Sequence, residues 1–236
     1  DDGLPVIPDS TIIVKTFYYY ADKRDTSLGK KIIETRLLIK NNGKWNAASY
    51  IWNSGQTDAT FISAGADVPI NWIDESGSPM VIAYHLPSKA ECGMCHQSDK
   101  NITPIGIKIR NLNFDVVHNN STINQLHYLQ NKGVMATMSP AAFTELPDWK
   151  NTSYSIEQRA RAYLDVNCGH CHNNSGLASH LSLELTYQTS FSDSRIGDKK
   201  QAINILMSKG LMPLIGTTLV DKDGLTLIQN YLQTIR

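Results

Sequence analysis

All four cysteines of the chain lie in two copies of one five-residue pattern, at residues 92–96 (CGMCH) and 168–172 (CGHCH). Each copy places two thiols three positions apart and a histidine directly after the second thiol. The pattern restricts the fold, because both thiols and the imidazole must face one bound group. No cysteine is left over for a disulfide, and only 7 of the 236 residues are histidines, so two chance copies are improbable.

Cys-x-x-Cys-His is the attachment motif of c-type haem. Two thiols at this spacing reach the two vinyl groups of one porphyrin, and the imidazole that follows then faces the iron. We therefore predict two covalently bound haem c groups. The predicted attachment residues are Cys92, Cys95, Cys168 and Cys171, and the predicted proximal iron ligands are His96 and His172.

A structural zinc site is the main alternative, since tetrahedral zinc accepts four thiolates. The 72 residues from 96 to 167 that separate the pairs exceed the spacing of a short zinc ribbon. Zinc also gives no reason for a histidine after each pair. Thioredoxin-like redox pairs are a further alternative, but two such pairs in one chain lack the expected βαβ context.

An internal repeat follows each motif and indicates a second ligand for each iron. Residues 128–135 (YLQNKGVM) and 205–212 (ILMSKGLM) both contain Leu-x-x-Lys-Gly-apolar-Met, and a predicted amphipathic helix precedes each, at 121–130 and 198–207. A methionine paired with histidine is a common ligand set of electron-carrying haem iron. Met135 and Met212 are therefore the predicted sixth ligands.

Several alternatives stay open around these two sites. Met138 is an alternative to Met135 for the first haem, as are a histidine or an open position. Pro104 is predicted to offer its carbonyl to the second ring nitrogen of His96. Arg110 is predicted to pair with haem propionates, since guanidinium binds carboxylates bidentately. Arg159 and Arg161 are further candidates, although a solvated helix face explains them equally well.

The chain changes character near residue 85. Before it, runs of β-branched and aromatic residues at 11–20, 31–40 and 45–52, with an Asn42-Gly43 turn, predict an antiparallel sheet. After it, the pattern becomes helical, and Ser155 and Asp221 are predicted helix caps. We predict an α+β fold with three domains. These are a β-rich N-terminal domain (1–84) and two mainly α-helical, cytochrome c-like haem domains (85–150 and 151–236).

Charge and hydropathy limit the classes of partner. Twenty-two basic and 22 acidic side chains cancel, which gives no long-range attraction to nucleic acid or acidic lipid. No uncharged run approaches the roughly 20 apolar residues of a membrane span. We expect no nucleic-acid partner and no membrane span in this chain.

Three segments resemble a family of bacterial diheme c-type cytochromes, at residues 33–39 (IETRLLI), 51–59 (IWNSGQTDA) and 161–172 (RAYLDVNCGHCH). Members carry a β-rich N-terminal region followed by two haem-attachment motifs. The resemblance implies that the β-rich domain begins before Asp1. Since haem c is attached outside the cytoplasm, it also implies a periplasmic or cell-surface protein whose export signal has been removed.

The leading hypothesis for function is electron transfer between the two haems and an external redox partner protein. The alternative is a diheme peroxidase or oxidase with an open distal site on the first haem, where His118, His127 or Glu145 would be the distal group. A third hypothesis is an interaction module, in which the β-rich domain docks the cytochrome to a redox enzyme or to a neighbouring copy.

Overall fold

A computed structural model describes residues 3–235 and groups them into two units. The first, which we call the strand-rich unit, contains Pro8–Thr103 and Gly210–Val220. The second, the helix-rich unit, contains Pro104–Lys209 and residues 221–235, together with residues 3–7.

A four-stranded antiparallel sheet dominates the strand-rich unit, with its strands in sequence order. The strands are β1 (Ile12–Tyr20), β2 (Lys30–Asn41), β3 (Lys44–Trp52) and β4 (Ala59–Ile62). The predicted turn between β2 and β3 is present, with φ of 51° at Asn42 and 73° at Gly43. Left-handed residues at both turn positions match the right-handed twist of the flanking strands.

A second hairpin and a short helix complete this unit. The elements are β5 (Ala66–Ile73), β6 (Pro79–Leu86), α1 (Lys89–Cys95), β7 (Gln97–Ser98) and β8 (Asn101–Ile102). The core of the unit consists of Ile33, Ile70, Trp72 and Leu86, with Tyr19 packed against it. Alternation along each strand directs these side chains inward.

The helix-rich unit begins with short elements and ends with three longer helices. The short elements are α2 (Ile109–Leu112), β9 (Asp115–His118), β10 (Ser121–Asn124) and α3 (Gln125–Asn131). The three longer helices are α4 (Ile156–Asn167), α6 (Ile196–Ser208) and α7 (Lys222–Thr234), and the four-residue α5 (Phe191–Ser194) lies directly before α6. Helix α7 packs against both α4 and α6, and buried Leu164, Ile196, Ile203, Ile228 and Tyr231 form much of their shared core.

The predicted fold class is wrong, because two mainly α-helical haem domains are not evident among residues 3–235. The chain is 27% strand and 30% helix. Within 85–150, helices α1, α2 and α3 have only 7, 4 and 7 residues, and two small hairpins lie between them. The predicted strands of the N-terminal part and the predicted caps of α4 and α7 are present.

The predicted helix at 121–130 is a strand followed by a shorter helix. Ser121–Asn124 pairs with Asp115–His118, so α3 begins only at Gln125. Asn119 and Asn120 form the turn, with φ of 48° and 61°. Asparagine tolerates the left-handed region, and the β-branched residues on both sides favour strands. These local preferences outweigh the helical spacing of the apolar residues.

Within residues 3–235, every helix is too short or too polar to cross a lipid bilayer.

Candidate functional site

The first motif lies on a short helix whose start is fixed by a capping box. The Ser88 hydroxyl accepts from the Glu91 amide at 3.3 Å, and the Glu91 carboxylate accepts from the Ser88 amide at 2.8 Å. Cys92 and Cys95 follow three positions apart on α1, so their side chains share one helix face. His96 caps the end of the helix and donates its amide to the Cys92 carbonyl at 3.0 Å.

His85 ties the start of α1 to strand β5. Its Nδ1 lies 2.7 Å from Asp67 Oδ1, and its Nε2 lies 3.0 Å from Glu91 Oε1. The hydrogen bond to Asp67 raises the pKa of His85, while hydrogen bonds from Ser88 lower the pKa of Glu91 to about 2. When His85 is protonated it donates to both carboxylates and anchors the first turn of the motif helix.

A tight hairpin directly after His96 returns a carbonyl group to its ring. Strands β7 and β8 are joined by Asp99 and Lys100, with φ of 47° and 67°. Beyond them, the Thr103 amide donates to the His96 carbonyl at 2.8 Å, and His96 Nδ1 lies 3.0 Å from the Thr103 carbonyl. A carbonyl only accepts, so Nδ1 is the protonated donor of this hydrogen bond.

The carbonyl beside His96 Nδ1 therefore belongs to Thr103, whereas the sequence analysis assigned this role to Pro104. Pro104 is itself buried. Because proline restricts the residue before it to extended conformations, Pro104 influences the contact through the backbone of Thr103. The hairpin was not predicted, since Asp-Lys is a weak turn sequence compared with Asn-Gly.

The second motif follows α4 in a compact turn. The amides of Cys171 and His172 both donate to the Cys168 carbonyl, at 3.0 and 2.9 Å. The Cys168 side chain packs against the core of α4, α6 and α7, and burial raises the pKa of its thiol to about 12. None of the four cysteines, all of which are described, is in a disulfide.

Two glycines allow the backbone of this turn to pack closely. A Cβ atom on Gly176 would lie 2.4 Å from the Cys171 carbonyl oxygen, and one on Gly169 would lie 2.8 Å from the Asp165 carbonyl oxygen. The Asn173 amide donates to the Gly169 carbonyl at 2.8 Å, which adds a side-chain link across the turn. The motif therefore has a fixed backbone that excludes larger residues at both positions.

The imidazole of His172 differs from that of His96 in its surroundings. The His172 carbonyl accepts from the Leu185 amide at 2.9 Å, so the backbone is held in place. Its Nδ1 is buried, and no atom of the described residues forms a hydrogen bond with it. Burial is the main cause that lowers the pKa of His172, which favours the neutral ring that metals require.

A buried polar cluster near Cys92 has no counterpart in the sequence analysis. Glu34 is fully buried and accepts from the Tyr84 hydroxyl at 2.6 Å, and it also pairs with Arg36. Burial raises the pKa of the Cys92 thiol, while the charge of Arg36 and the hydroxyl of Ser49 oppose this shift. Ile33 is left unpaired by a register shift between β1 and β2, so the alternation is interrupted and Ile33 and Glu34 are both buried.

The Lys-Gly pairs of the repeat end the two helices that precede the predicted methionine ligands. Lys132 caps α3 and Lys209 caps α6, and the glycine after each adopts a left-handed conformation, with φ of 69° at Gly133 and 66° at Gly210. Glycine is favoured there because it has no Cβ to clash with the preceding turn. The repeat is therefore a pair of helix ends followed by a methionine-bearing loop.

All three candidate methionine ligands are half-buried, and they lie in different units. Met135 and Met138 belong to the helix-rich unit, which also contains His172. Met212 belongs to the strand-rich unit, which also contains His96, and the peptide bond between Met212 and Pro213 is cis.

Two buried arginines lie beside one loop of the helix-rich unit. Arg161 donates from Nη2 to the carbonyl groups of Thr186 at 3.2 Å and Tyr187 at 3.4 Å, and also to that of Thr189. The Arg110 guanidinium lies over the Tyr187 ring, 5.1 Å from its centre. Arg161 thus stabilises the loop backbone, and Arg110 remains the candidate for a carboxylate ligand.

The candidate distal groups of an open haem are exposed and contact other side chains. The His118 ring stacks against Tyr128, with ring centres 4.5 Å apart. Glu145 accepts from the Tyr154 hydroxyl at 2.5 Å, and His127 is exposed on α3. These contacts do not bring any two of the three groups together as a distal acid–base pair.

No protein-family model, curated protein or solved structure matches this chain. Proposals about its function therefore rest on the two motifs and on the contacts of their residues. Those residues fit haem c in their donor types, since each motif offers two thiols and an imidazole. At the first motif, the Thr103 carbonyl also holds the His96 ring through Nδ1, as the backbone acceptor of a metal-binding histidine does.

Proposed function

We propose that this chain is a diheme c-type cytochrome, related to the bacterial family that it resembles. It would carry electrons between two covalently bound haem groups and an external redox partner protein. The observation that carries the proposal is the geometry of the first motif. Cys92 and Cys95 share one face of α1, and His96 donates from Nδ1 to the Thr103 carbonyl at 3.0 Å, which is the arrangement typical of a histidine that binds a metal through Nε2.

Covalent attachment at both motifs would need no further reactant. Each thiol would add across a vinyl double bond, with sulfur bonding to one carbon and the hydrogen passing to the other, so no oxidant is consumed. The Cys168 side chain packs against the core of α4, α6 and α7, so its thioether would lie in apolar surroundings.

Bound haem would supply an iron that accepts and releases one electron, with a potential set by its axial ligands. His96 and His172 would each hold one axial position. Met212 would hold the second position at one iron, and Met135 would do so at the other, with Met138 as its alternative. Arg110, which is 4% exposed, would pair with a propionate carboxylate.

The segment that contains Met212 has the surface expected of a haem contact. Residues 211–220 carry no charge, and Leu211, Leu214, Leu219 and Val220 are 41–62% exposed. A group of exposed large apolar side chains usually marks a contact surface. A porphyrin held through Met212 would cover part of this surface.

The attachment chemistry also implies a location and a class of partner. We propose a periplasmic or cell-surface protein, since haem c is attached outside the cytoplasm. The partner would be another redox protein, docked through local contacts, because the formal net charge of 0 provides no overall electrostatic steering. The sheet β1–β4 is the candidate docking surface for that partner or for a second copy.

Mass spectrometry and visible spectra of the exported full-length protein test the proposal. We expect two covalently bound haems and sharp low-spin bands after reduction, unchanged by carbon monoxide. A protein without haem that contains stoichiometric zinc would overturn the proposal. A carbon monoxide shift in one haem would instead favour the peroxidase-like function, because it requires an accessible iron.

A further inference from the structure

We infer that the first haem has the lower reduction potential of the two and passes its electron to the second. The inference rests on the proposed function and adds a direction to it. Its basis is a difference between the two proximal histidines. His96 donates from Nδ1 to a backbone carbonyl, whereas the buried Nδ1 of His172 has no hydrogen-bond partner in the part of the chain that is described.

The hydrogen bond of His96 changes the electronic character of its ring. Donation from Nδ1–H to a carbonyl moves electron density onto the imidazole and makes Nε2 a stronger base. A more basic ligand stabilises ferric iron more than ferrous iron, which lowers the reduction potential. His172 lacks this hydrogen bond, so its iron is reduced more readily.

The environment of His172 does not supply a substitute acceptor. Its ring lies near His170, whose Nδ1 is also buried without a hydrogen-bond partner among residues 3–235. Glu184 is the nearby carboxylate that raises the pKa of His172, but its Oε1 accepts from the Thr186 hydroxyl at 2.9 Å. The presence of a hydrogen bond at Nδ1 of His96 and its absence at Nδ1 of His172 therefore follow from the local structure around each ring.

The hairpin after His96 maintains the hydrogen bond that distinguishes His96 from His172. Lys100 sits in the left-handed region with φ of 67°, and the turn it forms brings the Thr103 carbonyl back to the ring. Lys100 acts on the ring through the backbone of this turn, so it is a positioning residue. Its backbone conformation can be changed without altering any predicted ligand.

A spectroscopic redox titration of the holoprotein is the first test. We expect two one-electron steps whose equilibrium constants differ at least tenfold, which corresponds to about 59 mV. The double variant C168A/C171A retains only the first haem, and its single midpoint should match the lower step. Coincident midpoints, or a match to the higher step, would overturn the inference.

Two substitutions at one position test the hairpin itself. Lys100→Pro fixes φ near −65° and opens the turn, so the lower midpoint should move toward the higher one by a factor of at least three in equilibrium constant. Lys100→Gly accepts the left-handed conformation and should leave both midpoints unchanged. If both variants behave alike, the hairpin does not set the potential.

A milder substitution covers the case in which Lys100→Pro fails to fold. Lys100→Val strains the same backbone position, because β-branched residues disfavour positive φ, and it should shift the lower midpoint in the same direction. Counting the covalent haems by mass spectrometry distinguishes a failure of this inference from a failure of the proposed function. Wild-type protein without two covalent haems would refute the proposed function, whereas two haems with equal midpoints would refute only the direction of transfer.

Discussion

Gly224 in α7 touches Tyr163 in α4 so closely that a Cβ atom on residue 224 would lie 2.2 Å from Cζ of the ring. The Tyr163 hydroxyl donates to Asp221 Oδ2 at 3.1 Å, and Asp221 is the cap of α7. Burial and the Asp221 charge raise the pKa of Tyr163, so it stays protonated as a donor. The pair thus fixes how the closing helix crosses the helix that leads into the second motif.

Gly224→Ala should destabilise the protein by about 1–3 kcal/mol, since overpacking a tight contact forces the ring or the helix to move. This cost must exceed the gain of up to about 1 kcal/mol that alanine brings to a helix interior. Urea unfolding measures the difference. The control is Asn230→Ala on the exposed side of α7, which should be neutral or slightly stabilising. Equal stability of the two variants would contradict the predicted clash.

The sheet of the strand-rich unit was predictable because its local signals agree. Alternating β-branched and aromatic residues in β1, β2 and β3 combine with the Asn42-Gly43 turn, and each favours the same hairpin. The caps of α4 and α7 were predictable for the same reason. Ser155 and Asp221 provide the side-chain acceptors that their first turns need.

The small hairpins were not predictable, and they account for the wrong fold class. The Asn119-Asn120 turn converts part of a predicted helix into β9 and β10, and the Asp99-Lys100 turn creates β7 and β8. Each strand has only two to four residues, too few for a periodic pattern. The contact between His96 and Thr103 depends on the hairpin of β7 and β8. The sequence therefore predicted His96 as a ligand but did not predict the Thr103 carbonyl that holds its ring.

Arg161 and Arg159 offer a matched pair of substitutions on α4. Arg161→Met removes a buried donor shared by three loop carbonyls, and it should cost about 3 kcal/mol because buried acceptors lose their partner. Arg159 is half-buried and donates to the Trp149 carbonyl at 2.8 Å, so Arg159→Met should cost about 1 kcal/mol. Chemical denaturation of both variants measures the difference. The reverse order would show that loop 186–189 does not depend on Arg161.

The contacts of His85 predict a pH dependence of stability. In the folded state the hydrogen bond to Asp67 raises the pKa of His85 above its ordinary value of 6.5. The stabilisation is therefore complete below the unfolded pKa and is lost as the pH rises through the higher folded pKa. We expect the unfolding free energy, followed from about pH 6 to about pH 8, to fall more in the wild type than in His85→Gln.

The control for this measurement is His180→Gln, which replaces an exposed histidine. This variant should keep the wild-type change of unfolding free energy with pH, because it leaves Asp67 and Glu91 paired with His85. At the acid end, the pKa of about 2 for Glu91 predicts that its contribution is complete above pH 4.5 and is lost progressively as the pH falls from there through about 2. If His85→Gln leaves the pH dependence of the unfolding free energy unchanged, the contacts of His85 with Asp67 and Glu91 do not determine stability.

Met212→Ala tests the predicted sixth ligand of one haem. Loss of the thioether should convert that iron from low spin to high spin and lower its reduction potential, since a methionine ligand favours ferrous iron. Visible and electron paramagnetic resonance spectra measure the change. Met207→Ala is the control, because Met207 packs against the core at the end of α6 and should alter stability without changing spin state. If the spectra of Met212→Ala equal those of the wild type, the ligand must be another residue. Met135→Ala and Met138→Ala, compared in the same way, then decide which methionine binds the first haem.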